Sequence, residues 1–336
     1  MSLRERVGQL LMVGINSAGP TTAEADILNS TRAGSVILLG DSTASLTTIA
    51  DVTDRVRRAA RPPKGAETLL AVDQEGGVVQ RLKGSGFDSI PAAVDQAAYD
   101  DRTLVAKASR WGRQLKRAGI DANLAPVADV VPEAARSRNQ PVGRLRRGYG
   151  SDPARVGAKV RAFVLGMKDA DIATAVKHFP GLGLVEGNTD YESDVVDSVT
   201  RRRDRMLGGF TRGVDAGADM VMVSSATYRR IDTNRRATFS PEVLRTMIRG
   251  DLQFSGVIIS DDLATQAMHD LSPGKRVLRF IEAGGDVAII GDSRIAQTAA
   301  SALVDEARKD PSLAKLVAAS AVRVLKLKDR RGLASC

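Results

Sequence analysis

The apolar run "IATAVKH" ends in Lys177 and His178 and breaks into "FPGLGLVEGNTDYESD", a loop carrying Glu186, Asp190, Glu192 and Asp194. The chain has only two histidines. One of them beside a lysine and a crowd of carboxylates is a candidate for chemistry. Similar runs end in polar residues too: Asp73 after "TLLAV", Asp129 just past "ANLAPV", Ser224 and Ser225 after "DMVMV", Asp261 and Asp262 after "GVIIS", and Asp292 after "DVAIIG". Metal chemistry fits poorly, because there is no His-x-x-x-His or paired-Cys spacing and His269 lies in a different segment. The glycines of "VDQEGGVVQRL" and "KHFPGLG" match neither the phosphate-cradling loop nor the dinucleotide fingerprint, so no cofactor is expected. A serine nucleophile would need a G-x-S-x-G elbow, and the "GSG" at 84–86 reads as an ordinary turn. What remains is a set of carboxylates among groups that bind hydroxyls. Glycoside hydrolysis uses that equipment: one carboxylate attacks the anomeric carbon while another group protonates the leaving oxygen.

Eight short runs must position these residues: 10–15, 35–40, 68–73, 122–127, 172–178, 219–225, 256–262 and 286–292. They are unbroken rather than alternating, as expected of parallel strands covered on both faces. Helix-compatible segments with one charged face, such as 46–60 and 103–119, lie between most of them. Strand and helix alternating eight times predict an α/β fold of the (β/α)₈ TIM-type barrel kind, with an open doubly wound sheet as the alternative. In a barrel the strand-end residues converge on one mouth. Trp111 falls in a helix-like run and is expected in the core. "RPPKG" at 61–65 reads as a helix-to-strand turn, and no linker divides the chain, which predicts one domain over 1–336.

Lys plus Arg exceed Asp plus Glu by 49 − 40 = 9, a balance that could steer an anionic partner such as an acidic cell-wall polymer. The basic clusters, "RRRDR" at 201–205 and "KDRR" at 328–331, read as solvated helix-like or terminal segments without interleaved aromatics, so nucleic acid is not expected. No apolar run approaches the roughly 20 residues that span a bilayer. The N-terminus lacks a small-residue cleavage site, so the sequence as written predicts a cytoplasmic chain; a trimmed mature form would be exported or cell-wall associated. The only cysteine is Cys336, which excludes an intrachain disulfide and leaves the redox compartment open. The sequence implies no particular oligomeric state.

Four segments together, "AVDQEGGVVQRL" (71–82), "ANLAPVADV" (122–130), "VKHFPGLG" (176–183) and "GVIISDDLATQAM" (256–268), resemble the bacterial β-N-acetylglucosaminidases of glycoside hydrolase family 3, in the same order and at comparable spacing. The resemblance implies a single-domain (β/α)₈ barrel and a retaining, exo-acting hydrolase that releases a terminal β-linked sugar, N-acetylglucosamine foremost, from glycan or peptidoglycan fragments. It implies Asp261 as nucleophile and Asp73, Arg81, Arg147, Lys177 and His178 as sugar-binding residues. It also exposes a departure. The family's loop continues to an Asp-Ser-His that holds the acid/base histidine, and an ungapped count from Lys177 gives Asn188, Thr189 and Asp190 there. Asp190 is therefore the expected stand-in, with Glu186 and Glu192 in reserve. Leu182 replaces the usual polar residue between the glycines, and Ser225 stands where many relatives have a histidine. Two rivals follow: a catalytically silent sugar-binding barrel, and a family-3 enzyme of different sugar specificity or with phosphate as acceptor. The low aromatic content, 4%, predicts a small hydrogen-bonding pocket for one terminal sugar.

Overall fold

The computed structural model describes residues 1–335; Cys336 lies outside the described residues. Eight parallel strands, β1 (Leu11–Asn16), β2 (Ser35–Leu39), β3 (Leu69–Val72), β4 (Ala122–Asn123), β5 (Ala173–Phe179), β6 (Met220–Val223), β7 (Val257–Ser260) and β8 (Ala288–Ile290), pair in chain order, and β8 pairs back onto β1. The seam between β7 and β8 is closed by the Ile259–Val287 bridge, with Ser260 N donating to Val287 O at 3.0 Å. Closure leaves no sheet edge, so the fold is the (β/α)₈ barrel and the open sheet is excluded.

Helices α1 (Thr22–Thr31), α2 (Leu46–Ala60), α3 (Asp101–Arg117), α4 (Pro153–Asp169), α5 (Gly208–Asp215), α6 (Glu242–Asp251), α7 (Pro273–Ala283) and α8 (Ala296–Lys309) follow the strands in turn. Their local causes are readable. In α2, Ile49, Val52, Val56 and Ala60 recur at helical spacing on one buried stripe, and Ser45 caps the start. In α3, Leu104, Ala108, Trp111 and Leu115 form the stripe, and the Asp100 carboxylate accepts from Thr103 N at 2.7 Å. That cap starts the helix two residues earlier than its apolar pattern suggests.

Alternation is present inside the apparently continuous strand runs, divided between two cores. Met12, Ile37, Ala71, Ala122, Ala175, Met222, Ile259 and Ile289 fill the barrel interior. Val13, Val36, Leu70, Val176 and Ile258 face the helices. Both faces are dry, which is why the sequence shows no polar alternation.

Three features depart from the sequence reading. Val196–Arg201 pairs in parallel with Thr227–Arg230 in a small ribbon beyond β5 and β6, so "RRRDR" begins at a strand end instead of a helix. A hairpin, Gln74–Gly76 with Val79–Gln80, follows β3 directly. The "KDRR" cluster is not solvated throughout. Lys328, at the end of the long helix Pro311–Asp329, is fully buried under the barrel and donates to Gln9 Oε1 and Gly34 O, both at 2.6 Å. Arg331 pairs with Asp219 at 2.6 Å and with Asp171 at 2.9 Å. The last helix folds back over the strands' amino ends, and its cations satisfy carbonyls and acids there. Burial pushes the Lys328 ammonium down to about 7, since its acidic neighbours Asp121 and Glu67 only partly offset the lost hydration.

Candidate active site

The strand period selects which strand-end residues face the mouth. Leu69 and Ala71 point into the barrel, so Asp73 follows on the same face; Ala173 and Ala175 do so for Lys177, and Val257 and Ile259 for Asp261. Alternation would turn His178 outward. The pairing of β5 with β6 is irregular between Val176 and Phe179, however, and both Lys177 and His178 line the mouth.

Lys177 Nζ donates to Asp73 Oδ1 at 2.6 Å and meets Glu75 Oε1 at 2.7 Å. Glu75 in turn takes Arg147 in a two-point pair, Nε to Oε2 at 2.9 Å and Nη2 to Oε1 at 2.8 Å. All four are largely withdrawn from water, two cations against two anions. Burial alone would raise the Glu75 carboxyl, but Arg147 and Lys177 outweigh it and hold the group well below the usual range. Lys177 and Arg147 are each raised by their carboxylate partners against the opposing effect of burial. His178 is held by Asp129: its backbone N donates to Oδ1 at 3.0 Å, and Nδ1 lies 2.8 Å from Oδ2. Arg147 Nη2, which can only donate, sits 3.4 Å from Nε2, an arrangement that suits the tautomer with its hydrogen on Nδ1 toward Asp129. Arg81 pairs with Asp41 at 2.9 Å, and Lys83 shares that acid. Neither Lys177 nor Arg81 is paired with Asp261, whose Oδ1 accepts from Asp262 N at 2.9 Å.

The loop after β5 brings Asp190 over the mouth. Gln266 N donates to Asp190 O at 3.4 Å and Ala267 N to Thr189 O at 3.2 Å, tying the loop to the segment after β7. Asp190 itself is exposed at the rim. Even so, the surrounding walls strip enough water to raise its carboxyl above the ordinary aspartate value, and Asp261 adds like-charge repulsion. Asp262 is pushed up to about 6, chiefly by burial, although Ala264 N and Gly291 N each donate to its Oδ1 at 2.8 Å.

Asp73, Arg81, Arg147, Lys177, His178, Asp190 and Asp261 all line a single cavity of about 760 Å³. Its floor is Ile37, Leu124, Met222 and Ile289, the uppermost side chains of the barrel interior. Other strand-end residues do not join it. Asp292 turns aside to Arg294 at 2.8 Å, and Ser224 and Ser225 are buried away from it. Sequence reasoning missed Glu75, Asp129 as the orienter of His178, and Asn139. The Asn139 amide donates to Leu182 O and Val185 O, both at 2.7 Å, while its oxygen accepts from Gly143 N at 2.6 Å. The acid inside "DQEGG" was a visible signal for Glu75. No local pattern marks Asn139.

A closed eight-stranded barrel with carboxylates gathered at the mouth of one hydrogen-bonding cavity defines the class of barrel glycoside hydrolases. The chain belongs to glycosyl hydrolase family 3: the model of that family's N-terminal domain matches residues 2–327. A β-hexosaminidase of Stenotrophomonas maltophilia (strain K279a) is 30% identical over 322 residues, 93% of this chain and 92% of the relative. Among solved structures, the β-N-acetylhexosaminidase from Beutenbergia cavernae DSM 12333 superposes with a TM-score of 0.96 at 41% identity, over 98% of this chain and 99% of that one. A family-3 β-N-acetylglucosaminidase from Paenibacillus sp. str. FPU-7 gives 0.89 at 27% identity, over all of this chain and 64% of the larger protein. The protein is a glycoside hydrolase and its substrate is a carbohydrate.

Proposed function

We propose that the protein is a retaining, exo-acting β-N-acetylhexosaminidase in which Asp261 is the nucleophile and Asp190 the acid/base. The observation that carries this reading is that Asp190 and Asp261 line one cavity, where burial first and the Asp261 charge second raise the Asp190 carboxyl. In the first step an Asp261 oxygen bonds to the anomeric carbon, the bond to the leaving oxygen breaks, and Asp190 gives that oxygen its proton. In the second, Asp190 takes a proton from water, whose oxygen displaces Asp261 and restores both groups. Asp73, Lys177, His178, Arg81 and Arg147 hold the ring. The pair of Lys177 with Asp73 and Glu75 fixes the donor before sugar arrives, so little ordering cost remains at binding.

Cell-wall fragments are the proposed source of the sugar. The net charge of +9 favours an anionic polymer or its fragments, and Arg144 reaches the cavity wall with no acid partner among the described residues. Turnover of chromogenic β-glycosides differing at the 2-position tests the reading: the 2-acetamido glycoside should be cleaved fastest and without added phosphate. Preference for an unsubstituted 2-hydroxyl would overturn the specificity. A strict need for phosphate would make the enzyme a phosphorylase, and binding without turnover of any glycoside would make it a silent barrel.

A further inference from the structure

Tyr191 follows Asp190 directly and is 76% exposed, the most exposed large hydrophobic side chain among the described residues. An aromatic ring left in water forgoes the stabilisation that burial would bring, so its surroundings matter. Two other exposed apolar side chains, Val78 and Leu145, line the same cavity as Tyr191. They come from the hairpin after β3 and from the loop before α4, so three separate elements present apolar groups to one mouth.

The backbone beneath Tyr191 is tied down. Tyr191 N and Glu192 N donate to Asn188 O at 3.0 and 2.9 Å, and Asp190 N donates to Asn188 Oδ1 at 3.0 Å. Glu192 Oε1 accepts from Asn188 N and from Gln140 Nε2, both at 3.2 Å. With the bonds from Gln266 and Ala267 described above, the turn is held on both flanks. The ring is thus exposed on an anchored support.

Chemistry says what stands beside it. A general acid must reach the oxygen that joins the terminal sugar to its leaving group, so the leaving group lies next to the acid. The cavity, at about 760 Å³, falls in the upper part of the roughly 300–1,000 Å³ range of ligand pockets, leaving room beyond one terminal ring. Resting on the reading of Asp190 given above, we infer that Tyr191, with Val78 and Leu145 on the same rim, forms a leaving-group subsite that takes the apolar face of a second sugar ring. The terminal sugar is held by charged hydrogen bonds, and the next ring is held by stacking on Tyr191. The enzyme is accordingly selective for β-linked disaccharides and longer chains over simple alkyl glycosides.

The test compares the β-1,4-linked N-acetylglucosamine dimer with methyl β-N-acetylglucosaminide in the wild type, Tyr191→Ala and Tyr191→Phe. Tyr191→Ala should lose about tenfold in kcat/KM on the dimer, mostly in KM, and less than threefold on the methyl glycoside; Tyr191→Phe, which keeps the ring, should stay near wild type on both. Equal losses on the two substrates would show that Tyr191 acts through Asp190 or the loop and overturn the subsite, as would no loss on either. A wild type that cleaves neither substrate sinks the parent reading alone. In that case calorimetry of the dimer and of free N-acetylglucosamine decides: tighter binding of the dimer that vanishes in Tyr191→Ala upholds the subsite, and equal binding of the two sugars overturns it.

Discussion

In the proposed mechanism Asp190 and Asp261 divide one task between two carboxylates, and mutation should separate their shares. Asp261→Ala should lower kcat by several orders of magnitude on every substrate, because in that mechanism its carboxylate forms the covalent bond. Asp190→Ala should instead discriminate by leaving group. Loss on poor, alkyl-type leaving groups should exceed loss on nitrophenyl glycosides by a hundredfold or so, since the latter need little protonation. The pH profile carries a sign. An acid works only while protonated, so wild-type kcat/KM on alkyl glycosides should fall as pH rises through the Asp190 pKa, which lies above the ordinary aspartate value. Asp190→Ala should erase that limb. A limb unmoved by Asp190→Ala would transfer the role to another carboxylate, Asp262 at about 6 being the nearest in chemistry.

At the scale of elements, the strands were legible because each is a short dry run, and α2 and α3 because their apolar stripes repeat at helical spacing. Asp73, Lys177 and Asp261 were legible for the same reason, as the first polar residues after such runs on the inward face. Asp190 was reached only by counting along a resemblance, since an acidic loop has no period. Asn139 was not legible because its partners Leu182 and Val185 are distant in sequence, and the acid of "DQEGG" marked Glu75 without revealing its distant partners Arg147 and Lys177. The buried position of Lys328 was hidden likewise, its partners Gln9 and Gly34 lying at the opposite end of the chain. Asn139 yields a test of loop coupling. It joins the loop before α4 to the loop after β5, so Asn139→Ala should cost about 2–4 kcal/mol by leaving buried backbone groups unpaired. It should also raise KM several-fold in the fraction that stays folded. Denaturant unfolding and steady-state kinetics read the two effects, and unchanged KM would mean that the mouth is shaped without this link.

The whole barrel has a titration of its own. Lys328 is pushed down to about 7 when folded and regains an ordinary value near 10.4 when unfolded, so between those values the unfolded chain binds more protons. Stability therefore rises with pH across that window, by at most about 1.4 kcal/mol per pH unit from this group, and the contribution levels off below about 7. The two acceptors of Nζ match the two hydrogens of a neutral amine. Lys328→Met should remove this slope: chemical denaturation at pH 7 and pH 9 should show the wild type gaining on the variant, and a constant difference would mean that the lysine stays charged in its burial site. The cavity floor has a different consequence. Ile37, Leu124, Met222 and Ile289 close the barrel interior from above and also form the floor of the cavity proposed to take the sugar. Reshaping that floor to admit another sugar would hollow the same packing that keeps the strands together, whereas the rim is built of loops that carry little of it. Divergence of specificity in this scaffold is thus channelled to the loops around the mouth, and the depth of the pocket is inherited with the barrel.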